Sequence, residues 1–455
     1  MTKYSIADLN SDFQKVKRII EHYKPKIDPF KQISTTEFKQ RQKKVAAALQ
    51  ENGFLIGLVF SDEQYSGDVP YLGGNTNVSI EQVAGVIGQT GFHIVAGLEG
   101  GYVAEQLSPR ADTKVHKVEM LQLADEKYPI EAETLEDVLE DAAGKSLNEI
   151  DKIALLSPRQ VIPASIVAYL ELLFGKKEVV DAQQIYYKIK NLKSDMEMEL
   201  IRDANIIADA MMRSMLAVIK PGMLETEVAS WAYFTGFQLG AEQMGFKVIL
   251  GANEANRTLI GQALNRKINK GDWVHLGVAP KRDGLTSCVR RSLIAGMDSS
   301  ELTGDQKYWF DFIEDAYNVG FEKYKEICAH NLPAKVQEQA LVDFFASKSA
   351  EVSKRIGKKI QLEKLKPYTG THNSGYTECQ EFYGAITLES EEPLAQQVVT
   401  MLDVALRGFG NMWNDDIIPG FDYIVIENTL GKWGKKVECL NDVPLNVQDL
   451  IGKGL

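Results

Sequence analysis

Two neighbouring stretches in the second half of the chain limit its fold more than any others. One is Gly271-Asp272-Trp273-Val274-His275-Leu276-Gly277-Val278-Ala279. The other continues through Asp283-Gly284-Leu285-Thr286-Ser287-Cys288-Val289-Arg290-Arg291. Strand pairs are predicted near 246–250, 272–279 and 285–294. Helices near 303–328 and 335–356 and strands near 397–407 and 421–427 follow, an α+β arrangement.

The first half has a different rhythm. Residues 1–33 are a lysine-rich, polar extension, expected to be a surface helix or an arm. Ser34-Thr35-Thr36-Glu37 predicts a capping box opening a helix. Phe38, Val45, Ala48 and Leu49 share one face of that helix, which stops near Gly53. Phe54–Phe60 is a short apolar run of the buried-strand type. Strands at Gln82–Ile87, Phe92–Val95, Leu155-Leu156 and Val179-Val180 alternate with helices near 134–143 and 164–175. This alternation predicts an α/β domain with a partly parallel sheet. A charged junction at Lys188–Glu197 leads into a helix from Asp195 to Ile219, which Pro221-Gly222 ends. A second helix spans Glu225–Leu239. The predicted organisation is an extension 1–33, an α/β domain 34–185 and a second domain 194–455. A chain of 455 residues suits two domains.

Composition excludes several classes. Apolar residues are 44% and charged residues 25%, the balance of a globular protein. No apolar run reaches the length needed to span a bilayer, and no signal core follows Met1, so a cytoplasmic location is expected. A net charge of −12 argues against nucleic acid as a partner. The four cysteines, Cys288, Cys328, Cys379 and Cys439, lack metal-type CxxC spacing and are expected to be reduced. Gly91–Gly101 is glycine-rich but has neither GxGxxG nor a P-loop lysine.

Several motifs occur in one order along the chain. Tyr71-Leu72-Gly73-Gly74, Lys193-Ser194-Asp195-Met196-Glu197 with Ile201-Arg202-Asp203-Ala204, Pro221-Gly222 with Glu225, Gly271-Asp272, His372-Asn373-Ser374-Gly375 and Glu427-Asn428-Thr429 resemble the creatinase, prolidase and aminopeptidase P family. The resemblance implies an α/β N-terminal domain before an α+β pita-bread domain, and a homodimer. It also implies two divalent metals held by Asp, Asp, His, Glu and Glu.

Carried onto this chain, the first aspartate falls on Gly277 and the second on Cys288. The histidine falls on His372, the first glutamate on Asp403 and the last on Glu427. The family's two further histidines fall on Cys379 and near Ile260. One metal position is thus dismantled. At most one ion of zinc, iron or manganese is expected, on Cys288, His372, Asp403 and Glu427. A cleft without metal is the first expectation, with His372 bonded to Glu427 or Asp403. His372, Glu427 and Cys379 are the candidate catalytic residues. Cys288 or Cys379 as a nucleophile stands beside their reading as apolar fillers. Arg290, Arg291, Tyr376 and Glu378 are candidate substrate-binding residues, and Glu378 and Glu381 are possible partners of the arginines. Tyr383 is a further pocket candidate.

The resemblance implies a hydrolase acting on a C–N bond of a small amino-acid-derived substrate without the standard dinuclear centre, as creatinase shows is possible on this fold. The alternative is a non-catalytic pseudo-peptidase that binds a peptide or protein. Ordinary Xaa-Pro peptidase activity is third. A small molecule or short peptide is the expected ligand.

Overall fold

The computed structural model describes residues 4–122, 132–378 and 384–455. Cys379, Glu381 and Tyr383 lie outside the described residues. Two compact units emerge. One is Gln32–Glu197, and the other is built from the described residues before and after it. Residues 1–31 therefore group with the C-terminal unit. No described helix is long and apolar enough to cross a membrane.

The unit Gln32–Glu197 is built on a mixed sheet. Its strands are β1 (Gly57–Ser61), β2 (Val83–Gly88), β3 (Gly91–Ala96), β4 (Lys114–Lys117), β5 (Ile153–Leu155) and β6 (Val179–Asp181), in the order β4-β3-β2-β1-β5-β6. The pairs β1–β5, β5–β6 and β3–β4 are parallel, while β1–β2 and β2–β3 are antiparallel. Leu58, Phe60, Val86, Val95, Leu155 and Leu170 meet in its core, together with Val138 and Leu139 of the helix Leu135–Ala143. The helix Thr35–Glu51 buries Phe38, Val45 and Leu49. Ser34 Oγ accepts from the Glu37 amide at 3.3 Å, which is half of the expected capping box. The Glu37 carboxylate does not fold back; it takes Arg41 and the Ser194 hydroxyl instead.

The other unit carries β7 (Gln243–Met244), β8 (Ile249–Ala252), β9 (Trp273–Val278), β10 (Pro280–Arg282), β11 (Leu285–Thr286), β12 (Val289–Ile294), β13 (Thr371–Asn373), β14 (Gln397–Arg407), β15 (Tyr423–Trp433) and β16 (Lys436–Cys439). Its large antiparallel sheet runs β13-β14-β15-β12-β9-β8, with β16 on β15. A small sheet runs β11-β10-β7. Val274, Leu276, Val278, Val289 and Leu293 face the helices Asp195–Val218 and Glu225–Gln238. Leu402, Val404, Leu406, Ile424 and Ile426 pack under the helices Gly304–His330 and Lys335–Ile356. The N-terminal helix Ile6–Tyr23 is not a mere surface helix. Val16, Ile19 and Tyr23 are buried in the same core as Met211, Met212 and Met215.

Candidate active site

Strand register sets the site. Across the large sheet, Asp403 opposes Glu427, Glu427 opposes Arg290, Arg290 opposes Gly277, and Gly277 opposes Ile249. Directly opposed residues share a face, and residues two apart along a strand do too. Cys288, two before Arg290, therefore joins the row. So does His372, which opposes Met401, two before Asp403. Arg291 falls on the opposite face.

Arg290 is the centre of the row. It is buried. Its Nη1 donates to Asp403 Oδ2 at 3.2 Å and to the Tyr368 hydroxyl at 3.3 Å. Its Nη2 donates to the Leu259 carbonyl at 2.6 Å and to the Tyr423 hydroxyl at 2.8 Å. Its Nε lies 3.7 Å from Glu427 Oε2. Both terminal nitrogens are thus taken by protein acceptors, which weighs against the expected role of Arg290 as an anchor for a substrate carboxylate. Arg291 is occupied as well. It donates to the carbonyls of Pro444, Arg290, Glu427 and Val443 and to Asn428 Oδ1, all at 2.7–2.8 Å. It ties β12 to β15 and to the segment after β16, and its expected substrate role gives way to a structural one. Leu259 has φ +56°, a conformation unusual for a branched side chain. The turn presents its carbonyl to Arg290 in this strained form.

A second group lies beside this one. His372 Nε2 is 3.4 Å from both Glu378 Oε1 and Glu427 Oε1, and its Nδ1 bonds the Asn373 carbonyl at 3.0 Å. Nδ1 therefore carries the proton in the neutral ring, leaving Nε2 toward the carboxylates. Burial works against a charge on His372, yet Glu378, Glu427 and Asp403 together push its pKa up to about 10. Burial, with Glu427 alongside, raises the Asp403 carboxyl to about 7. For Glu427 the upward push of burial is outweighed by His372 and Arg290, and its pKa falls. Burial first, then Glu427 and Glu378, drives the Cys288 thiol well above its usual range. A thiol held protonated in this way is no nucleophile, so the structure favours the filler reading of Cys288 unless a cation binds. His275 is also buried, with Nδ1 donating to Asn256 Oδ1 at 2.6 Å and its ring edge-on to Tyr423. Burial and then Arg290 keep it neutral. Tyr376 is buried near the end of β13.

The fit to metal differs between the two groups. A Cβ on Gly277 would meet Arg290 Cγ at 3.0 Å and Ile249 Cβ at 3.2 Å. The Arg290 stem thus covers the position that the resemblance gives to the first aspartate, and its cation already neutralises Asp403. The five-ligand set that the resemblance implies is thus not reproduced on this row. Two trios of potential ligand atoms do converge within 4.8 Å: Cys288, Glu378 and Glu427, and His372, Asp403 and Glu427. Glu427 joins them. Ligand atoms about 2.1 Å from one tetrahedral ion stand about 3.4 Å apart, the spacing His372 Nε2 keeps from its two glutamates. A charge-assisted hydrogen bond would be shorter, at about 2.7–2.9 Å. Glu378 and Glu427 converge with Cys288 in one trio and each lie 3.4 Å from His372 Nε2, while Cys288 and His372 belong to different trios; the sequence set has Asp403 in place of Glu378. The sequence reading placed Glu378 among substrate-binding residues and not beside His372, and it did not name Tyr368 or Tyr423. Tyr423 lies four residues before Glu427 on one strand, a same-face spacing that the letters do contain.

Residues 199–377 match metallopeptidase family M24. An uncharacterized peptidase, YqhT, of Bacillus subtilis is 22% identical over 58% of this chain and 69% of its own length. A Xaa-Pro dipeptidase of Pyrococcus horikoshii is 23% identical over 39% of this chain and 49% of its own. The structure of an X-Pro aminopeptidase from Thermotoga maritima superposes with a TM-score of 0.68 at 18% identity, over 89% of this chain and 98% of that one. The prolidase of Pyrococcus horikoshii gives 0.65 at 17%, over 90% and 100%. At such identities the superpositions speak for the fold. With the M24 match over residues 199–377, they show the pita-bread fold with its N-terminal domain, and the ordered motifs resemble those of the creatinase, prolidase and aminopeptidase P family.

Proposed function

We propose that the chain is a hydrolase that cleaves a C–N bond in a small amino-acid-derived substrate or short peptide, and that it works with a single divalent ion. Cys288, His372, Glu378 and Glu427 would hold that ion, which would polarise the scissile carbonyl. The observation that carries this reading is the equal 3.4 Å spacing of His372 Nε2 from Glu378 and Glu427. A cysteine, an imidazole and carboxylates suit zinc or iron, with manganese less favoured by the thiolate. Arg290 supplies a fixed positive charge beside Asp403, on the side where the family's other metal is expected. Tyr368, which donates to Asp403 at 3.0 Å, and Tyr423 hold that charge in position. Free thiols at Cys288, Cys328 and Cys439 agree with a cytoplasmic setting, and the family supports a homodimer.

A second reading has its own observation. Arg290, whose two terminal nitrogens bond Asp403, Tyr368, Tyr423 and the Leu259 carbonyl, also suits a metal-free pseudo-peptidase that binds a peptide. Elemental analysis of the full chain purified without chelator separates the two. The first reading expects about one zinc, iron or manganese per chain. It also expects that ion, together with hydrolysis of dipeptide and N-acyl amino-acid probes, to be lost in Cys288→Ala and His372→Ala. No metal, and stability indifferent to chelator, overturns it. Two ions per chain at this site overturn the single-ion reading.

A further inference from the structure

We propose that His93, His116 and Asp141 form a second divalent-metal site, of zinc type, in the N-terminal unit and independent of the site in the M24 domain. His93 lies on β3 and His116 on the neighbouring parallel strand β4. Asp141 lies in the last turn of the helix Leu135–Ala143. Nδ1 of His93 and Nε2 of His116 face each other at 2.9 Å. Asp141 Oδ2 is 3.6 Å from the first and 3.9 Å from the second.

Proton accounting makes the arrangement informative. The Thr90 hydroxyl has one hydrogen, and the carbonyls of Asp141 and Ala142, at 2.7 and 3.2 Å, can only accept it. Its oxygen must then accept from His93 Nε2, at 2.8 Å. His93 therefore carries its proton on Nε2 and a lone pair on Nδ1. The His116 Nδ1 contacts the Glu133 carboxylate, which can only accept, so His116 carries its proton on Nδ1 and a lone pair on Nε2. With both rings neutral, the two facing nitrogens are then both lone pairs. They are buried, at 1% and 8% side-chain exposure, and a carboxylate oxygen completes the trio.

Lone pairs pointed at each other repel unless a proton or a metal cation sits between them, and the nearby Asp141 carboxylate offers a metal cation a third ligand. Outer partners that fix the tautomer and aim the free nitrogen inward are the usual support of metal-bound histidine. Two imidazoles, one carboxylate and an open fourth position for water suit zinc, at about 2.0–2.1 Å from each ligand. The nitrogens must separate by a few tenths of an ångström to admit the ion. Asp141 is partly exposed, which leaves a route from solvent. Lys114, whose Nζ is 3.1 and 2.8 Å from the two Asp141 oxygens, is the competing cation and is itself largely exposed. Bound there, zinc would pin the edge strand β4 and β3 to the end of the helix.

The test uses the full chain with His372→Ala, which removes ion binding at the other site, after treatment with chelator. Titration with Co²⁺ is expected to give one bound equivalent with the intense visible absorption of a four-coordinate site, and Zn²⁺ is expected to displace it. Adding His116→Asn or His93→Asn should abolish the uptake. Lys114→Ala, a surface change that leaves the fold in place, should tighten Zn²⁺ binding by about threefold, the worth of one surface ion pair. The proposal is overturned if the His372→Ala protein takes up no ion, or if neither histidine substitution nor Lys114→Ala alters the uptake. It is also overturned if ¹⁵N spectra of the histidines show one proton shared between the facing nitrogens at pH 8 in the presence of Zn²⁺.

Discussion

Gly277 and Arg290 act as one replacement. The glycine removes a side chain, and the arginine stem, passing within 3.0 Å of where a Cβ would sit, uses the space. The chain backbone at Gly277 needs no unusual conformation, so the requirement for glycine is one of volume alone. Gly277→Ala should therefore cost about 1–3 kcal/mol, the usual penalty of overpacking a filled core, read from urea unfolding of the C-terminal unit. A cost near zero would mean that the arginine stem moves freely. The letters disclosed that Gly277 cannot be a ligand and that Arg290 is an added charge beside the site. They did not disclose that the two meet, because cross-strand register depends on the whole sheet. The same limit hid Glu378 as a partner of His372 and paired Arg290 with Glu378 or Glu381 where the structure pairs it with Asp403. His93 and His116 are 23 residues apart on neighbouring strands, with no spacing that marks them.

At the scale of elements, what was legible was periodic or local. The helix Thr35–Glu51 and the helix Asp195–Val218 follow from their apolar faces and end signals, and most of the longer strands follow from short apolar runs, whereas the short strands β4, β13 and β16 carry no such run and were not expected. Long-range pairings were not legible. Asp68, at the start of the helix Asp68–Gly73, and Lys190, at the end of the helix Gln183–Lys190, form a fully buried ion pair. Asp68 also accepts from Tyr65 at 2.9 Å and from the Ser157 hydroxyl. This knot joins the strand layer to the last helix of the N-terminal unit. Lys190→Ala should cost about 3–5 kcal/mol, because it strands a buried carboxylate. Replacing both partners with apolar residues should recover much of that loss. Denaturant unfolding of the three proteins gives the comparison, and equal losses in the single and double variants would refute it.

At the scale of the whole molecule, stability should depend on pH through buried carboxyls of the C-terminal unit, and the share of one of them, Asp209, can be read apart from the candidate site. Asp209, on the helix Asp195–Val218, accepts from Asn441 Nδ2 at 2.9 Å and from the Asp442 amide at 2.7 Å. Asp442 in turn receives the Tyr23 hydroxyl at 3.0 Å and Arg213 at 3.3 Å. The N-terminal helix, the central helix and the C-terminal segment meet there. Burial, reinforced by the charge of Asp442 and opposed by the two hydrogen bonds, pushes the Asp209 pKa up to about 8. In the unfolded chain it is about 3.9. Between these values the folded state holds a proton that the unfolded state has released. The contribution of this group is therefore complete below about pH 4 and lost as pH rises through about 8, at up to about 1.4 kcal/mol per pH unit. Asp209→Asn cannot titrate. Its amide faces one of the two donors, a cost that does not vary with pH. Urea unfolding from pH 5 to 8 should thus show wild-type stability falling relative to Asp209→Asn across that range and running parallel to it above pH 9. Parallel curves throughout would mean that Asp209 stays ionised in the folded protein, held by its two donors alone.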